Sequence, residues 1–202
     1  MWTLFYIKKM IESEFIDYWN TEYPEAIPIS HELKRKYPDR WFRIHSLLES
    51  KRYADSAGDH KIILDRQNLL IEGLIGKESE VAITFGISVN DINNSNYKEL
   101  TDFGEFQKVL KFDLHKERPE EYEEDMHFDI FVKLEKWKEY SRNEILKLIT
   151  DDKIRVMLVS SSIKYIVAPY DGGVDVIVDS TAKRDRLKSK YKDWLSDREN
   201  GI

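Results

Sequence analysis

The 202-residue sequence contains no cysteine, carries no excess of positive charge and has no long apolar run. Without cysteine there is no disulfide scaffold, no Cys-ligated zinc module and no cysteine nucleophile. The longest uncharged stretch is the ten residues from Val81 to Asn90, about half of what a membrane span requires. The first seven residues are mostly apolar, but Lys8 and Lys9 follow them and Glu12, Glu14 and Asp17 come soon after. A signal peptide places its charge before a longer apolar run, so this order predicts a cytoplasmic protein with no membrane partner. A formal charge of -6 argues against broad duplex binding, because that affinity comes from neutralised phosphates. Nucleic acid is therefore not the expected partner. There is also no internal repeat, low-complexity tract or linker, which predicts one domain over residues 1–202.

What is present is a core. Apolar residues make up 41% of the chain and aromatics 12%, alongside 35% charged residues. Such a composition offsets the entropy of chain ordering, and a chain of this length buries roughly 70% of its unfolded surface. Met10, Ile11, Phe15, Tyr18 and Trp19 recur at helical spacing from Leu4 to about Tyr23, and Pro24 stops the helix. Ser30 is placed to cap a short helix ending before Pro38. Arg40 to His45 alternates as a strand, with Trp41, Arg43 and His45 on one side and Phe42 and Ile44 on the other. A longer helix runs from Ser56 to Gly76, with Ile62, Ile63, Arg66, Leu69, Leu70 and Ile75 as its expected apolar stripe.

Period two then takes over. Val81 to Ile87, Val109 to His115 and His127 to Leu134 read as strands, with an irregular Asn- and Asp-rich connection from Val89 to Asn96. Ser141 is the expected cap of a helix over Ile145, Leu148 and Ile149. Ile154 to Ser160 and Lys164 to Tyr170 read as central strands. Asp171-Gly172-Gly173 reads as a tight turn whose glycines adopt positive φ, and Val174 to Val178 returns as its hairpin partner. A last helix from Thr181 to about Ser196 buries Leu187, Tyr191, Trp194 and Leu195. The expected fold is α+β: a mixed, largely antiparallel sheet of about six or seven strands with helices packed on it.

The densest polar cluster is Arg43, His45, Ser46, Glu49, Ser50, Lys51, Arg52 and Tyr53. Several donors within one strand and its following loop form the composition an anionic or phosphoryl group needs, with His45 as the candidate proton carrier. The same residues also suit a structural role, with Arg43 paired to a carboxylate on the sheet and the loop solvated. A second cluster is palindromic: Asp113-Leu114-His115 and His127-Phe128-Asp129. In a hairpin centred on Glu121, His115 would face His127 and Asp113 would face Asp129, a weak candidate divalent-metal site. A half-exposed sheet displays the same polar face, so no metal or other cofactor is expected. The loop Glu117 to Asp125 holds six carboxylates and Arg118, and the last helix is rich in Lys and Arg; both read as solvated surface. Gly73-Gly76-Lys77-Ser79 has the wrong spacing for a phosphate loop, and Ser161 with Lys164 lies between strands and not at a helix start.

Asp39-Arg40-Trp41-Phe42-Arg43-Ile44-His45-Ser46 running into Glu49-Ser50-Lys51-Arg52-Tyr53-Ala54, and Pro169-Tyr170-Asp171-Gly172-Gly173-Val174-Asp175-Val176 followed by the Arg186 to Leu195 helix, resemble a family of uncharacterised bacterial proteins. That family is a domain of unknown function whose motifs have no assigned chemistry. Here Leu48 stands where the family pattern has proline, and Ala168 where a histidine often precedes Pro-Tyr, so no histidine can act there. The resemblance implies that both segments share one surface, joining Arg43, His45, Lys51 and Arg52 to Tyr170, Asp171 and Asp175, with Ser46 as a further candidate binding residue. Two function classes follow. One is a non-catalytic binding or regulatory protein, of the accessory or immunity kind, with a protein partner. The other is an enzyme or binder of an anionic, phosphate-bearing small molecule through Arg43, His45, Lys51 and Arg52, with Asp171 or Asp175 orienting the histidine.

Overall fold

Alternation in the strand segments is two-sided: successive residues are buried on opposite faces of one sheet. In the computed structural model, which describes residues 13–47, 51–88 and 102–195, residues 13–22 form α1 and Ser30–Lys36 form α2. A 3-10 turn follows at Pro38–Arg40, and then come β1 Trp41–His45, α3 Ala57–Ile75, β2 Glu80–Ser88 and β3 Gln107–Asp113. The chain continues through the single turn α4 Leu114–Glu117, β4 His127–Lys136, α5 Asn143–Thr150, β5 Met157–Ser160, β6 Tyr165–Tyr170, β7 Gly173–Ile177 and α6 Thr181–Lys190. The expected helix start at Leu4, the connection from Val89 to Asn96, and Leu48, Glu49 and Ser50 lie outside the described residues.

The seven strands form one sheet in the order β1-β7-β6-β5-β2-β4-β3, and every pairing is antiparallel. This is an α+β fold. On one face Phe42, Val176, Val167, Leu158, Ile83 and Phe131 pack with Leu70 and Ile71 of α3 and Ile145 and Ile149 of α5. On the other, Ile177, Ile166, Val159, Ala82 and Ile130 pack with Phe15 and Trp19 of α1 and Leu33 of α2. β5 and β6, buried on both faces, are interior strands and therefore read as nearly unbroken apolar runs. Among the described residues no helix is long and apolar enough to cross a membrane.

Several local expectations need correction. The Ser30 side chain caps nothing: the residue is the first of α2, after an N-cap at Ile29. The Ser141 hydroxyl donates to Lys138 O, and α5 has Arg142 at its N-cap, whose side chain makes no capping hydrogen bond and instead donates to Glu135. For α3 both ends are as expected, because Ser56 Oγ accepts from the Asp59 amide and Gly76 closes the helix at φ 97°. Its buried face is rotated, however. Ile62 and Leu69 are exposed, while Gln67 and Asn68 are fully buried.

Candidate functional site

β1 and β7 are neighbours, and their register sets Arg43 directly opposite Asp175. Cross-strand partners project on the same face, so the two side chains meet as a fork. Arg43 Nε donates to Asp175 Oδ1 at 2.7 Å and its second nitrogen to Oδ2 at 2.9 Å. The guanidinium also lies 4.6 Å from the centre of the Tyr170 ring and 5.5 Å from that of Trp41, both within cation–π range. Burial outweighs every other influence on the Tyr170 phenol and pushes its pKa well above the ordinary value. The hydroxyl therefore stays protonated near neutral pH.

The hairpin from β6 to β7 turns through Asp171 and Gly172, since Tyr170 pairs with Gly173. Neither glycine adopts positive φ, contrary to expectation. Close approach explains them instead. A Cβ on Gly173 would lie 2.0 Å from Ile44 O, and one on Gly172 would lie 3.0 Å from the Tyr170 ring and 3.1 Å from Arg52 Cγ. The missing side chains let the turn lie against β1, where the Ser46 amide donates to Gly172 O. Asp171 is buried here, accepting from the Gly172 amide and from Arg52 Nε, each at 2.9 Å.

The two motif segments thus border one cleft of about 440 Å³, beside the β1, β6 and β7 end of the sheet and flanked by α2. Arg43, His45 and Arg52 line it with Tyr170, Asp171 and Asp175. Two expected members do not. Lys51 reaches Asp55 and Asp59 at 2.8 Å, and its hydrogen bond, above all else, lowers the Asp59 carboxyl to about 2. Ser46 is buried behind the turn and is not part of the lining. His45 is nearly buried at the end of β1.

The cleft gains residues that the sequence did not single out. Ser30, His31 and Lys34 come from α2, and Asp152 and Arg155 come from the segment between α5 and β5. Antiparallel pairing of β5 with β6 brings that segment beside Tyr170. Lys34 has no ion-pair partner among the described residues, and Arg155 approaches Asp152 only at 3.7 Å with both side chains largely exposed. Arg155 stands between buried Ile154 and buried Val156, an alternation that could have marked it as outward-facing. No such signal singled out His31 or Lys34.

The palindromic histidines do not converge. The register places Asp113 opposite His127 and Lys111 opposite Asp129, two residues from the expected hairpin pairing. The chain leaves the sheet at Leu114, where Asp113 Oδ1 accepts from the Lys116 amide and starts α4. His115 therefore sits on a helical turn, with Nδ1 2.7 Å from Tyr122 O, and Asp129 is buried against Lys108. Among the described residues no group of three or more His, Asp or Glu is arranged to hold a metal ion. In the acidic loop, Arg118 bridges Glu121 and the buried Glu32 of α2, which ties the loop to the fold.

These features define an α+β chain with a cleft bordered by ion pairs at one end of its sheet. A family model matches residues 29–199, and the chain belongs to that family, the domain of unknown function DUF3885. The matched range contains both motif segments. No curated protein and no solved structure matches the chain.

Proposed function

We propose that this chain is a non-catalytic binding protein whose cleft receives the anionic group of a small molecule. One observation carries the reading: four cationic side chains, Lys34, Arg43, Arg52 and Arg155, face three carboxylates around the cleft, in a chain of net charge -6. The carboxylates are engaged unevenly. Asp175 and Asp171 hold Arg43 and Arg52 in short pairs; Lys34 has no ion-pair partner among the described residues, and Arg155 meets Asp152 only at 3.7 Å, so these two are the least engaged cations of the cleft. The anion contact thus falls to Lys34 and Arg155, and Arg43 becomes the floor beneath them. Binding is favoured over turnover because the cleft's inner carboxylates already accept from arginine and amide donors, and its phenol stays protonated. A volume of about 440 Å³ falls within the range of small-molecule sites.

Thermal shift with inorganic phosphate at low ionic strength tests this reading. A ligand present at about 100 times its Kd stabilises the folded state by roughly 2.7 kcal/mol. The expected result is a rise in melting temperature that disappears in the Lys34→Ala/Arg155→Ala variant and weakens with added salt. An unchanged melting temperature, or a rise that survives in the variant, would contradict the assignment. Turnover of phosphoesters that depends on His45 would contradict its non-catalytic part.

A further inference from the structure

The cleft does not end at Arg155. Beside it lies a second, smaller cavity of about 150 Å³, bounded by Pro28, Ile29, Gly86, Phe128, Val156 and Met157. Ser30, His31 and Arg155 line both spaces and so form the junction between them. The two spaces differ in chemistry: the larger is lined by ion pairs and the smaller by aliphatic and aromatic groups. Gly86 keeps the annex walls close, because a Cβ there would lie 2.3 Å from the Phe128 ring.

The junction also holds an unsatisfied group. His31 Nε2 lies 3.3 Å from Glu32 Oε1, while His31 Nδ1 is buried with no hydrogen-bond partner among the described residues. Buried polar atoms of this kind are rare enough in folded proteins to call for an explanation, and an absent ligand is one. A space of about 150 Å³ is large enough for a molecule the size of benzene.

The geometry points to an amphipathic anion as the ligand: a phosphate or carboxylate held at Lys34 and Arg155, joined directly to an aryl ring or short aliphatic chain that fills the annex past His31. This inference rests on the anion-binding reading above and adds the apolar half of the ligand. Each half alone fills only part of the site. A free anion leaves the annex empty, and a neutral ring has no partner for Lys34 and Arg155.

The test uses three probes on the full chain, followed by calorimetry: inorganic phosphate, phenyl phosphate and phenol. Phenyl phosphate is expected to bind at least about tenfold more tightly than inorganic phosphate, from burial of the ring. Phenol is expected to bind more weakly than phenyl phosphate. Ile29→Trp, placed on the loop before α2 to fill the annex, should remove the phenyl advantage, so that phenyl phosphate binds no more tightly than inorganic phosphate. Phosphate binding with no phenyl advantage would overturn this inference and leave the anion reading standing. A phenyl advantage that persists in Ile29→Trp would overturn it as well, since the ring would then lie elsewhere. Failure of both phosphates to bind would remove the anion reading and the inference with it.

Discussion

Breaking the Arg43–Asp175 pair should cost far more than a surface ion pair is worth. Both side chains are largely buried, at 13% and 11% exposure, and the fork engages both carboxylate oxygens. Replacing Arg43 by Met preserves much of the packing against Trp41 and Tyr170 but leaves Asp175, 7% exposed, without its counter-charge. Removing one partner of a buried pair typically costs about 3–5 kcal/mol, because the other charge stays desolvated. For a chain of this size that corresponds to a fall in melting temperature of about 6–20 °C. The double variant Arg43→Met/Asp175→Leu removes both charges and should recover most of the loss, since a well-packed apolar pair is often as stable as the buried ion pair it replaces. Urea unfolding of the wild type, both single variants and the double variant forms the cycle. As a comparison, Lys61→Met breaks the exposed Lys61–Asp65 pair and should leave the midpoint where it was. An Arg43→Met midpoint no lower than that of Lys61→Met would refute the reasoning, as would a double variant no more stable than the single variants.

Three further outcomes follow from the same structure. Gly173→Ala forces a methyl against Ile44 O and should separate β1 from β7, seen as fast amide exchange across Phe42–Ser46 with the rest of the sheet still protected; unchanged protection there would contradict the close approach. Leu70→Ala removes a fully buried side chain from α3 and should cost about 2–5 kcal/mol, whereas Leu69→Ala on its exposed side should stay within about 0.5 kcal/mol; equal costs in urea unfolding would mean the helix is rotated. Burial, above the opposing influence of Glu32, holds the His31 pKa below 6.5, so protonation favours the unfolded chain. The stability this contributes is present above pH 6.5 and is lost as pH falls through the lower folded value, so His31→Gln should flatten the urea midpoint between pH 7 and 5; a profile as steep as the wild type's would assign the loss to other groups.

Features fixed by local chemistry were legible in the sequence. Ser56 and Gly76 mark the ends of α3 because a hydroxyl cap and a positive-φ glycine act within one turn. Which side of that helix faces the sheet was not legible, because distant partners decide it. Gln67 Nε2 donates to Tyr170 O, and Asn68 bonds Asn143 and the Tyr140 amide, so two polar residues are buried where Ile62 and Leu69 were expected. The palindrome misled for a similar reason: Leu114 is drawn into the core and Asp113 caps a turn, which ends the strand before His115. At the site, the Trp-Phe-Arg and Tyr-Asp-Gly-Gly segments carried enough signal to be joined. Their internal pairing depended on a strand contact spanning 132 residues; no local pattern pointed to Lys34, and the alternation around Arg155 marked it as outward-facing without assigning it to the cleft.

Amide chemical-shift mapping during a phosphate titration at low ionic strength tests the central claim most directly. The account predicts saturable shifts centred on Lys34, Arg155 and Gly172, which all line the cleft, and little change along the lysine-rich α6. Shifts that grow without saturation, or that concentrate on Lys183, Lys188 and Lys190, would show that phosphate meets only a charged surface and would contradict it.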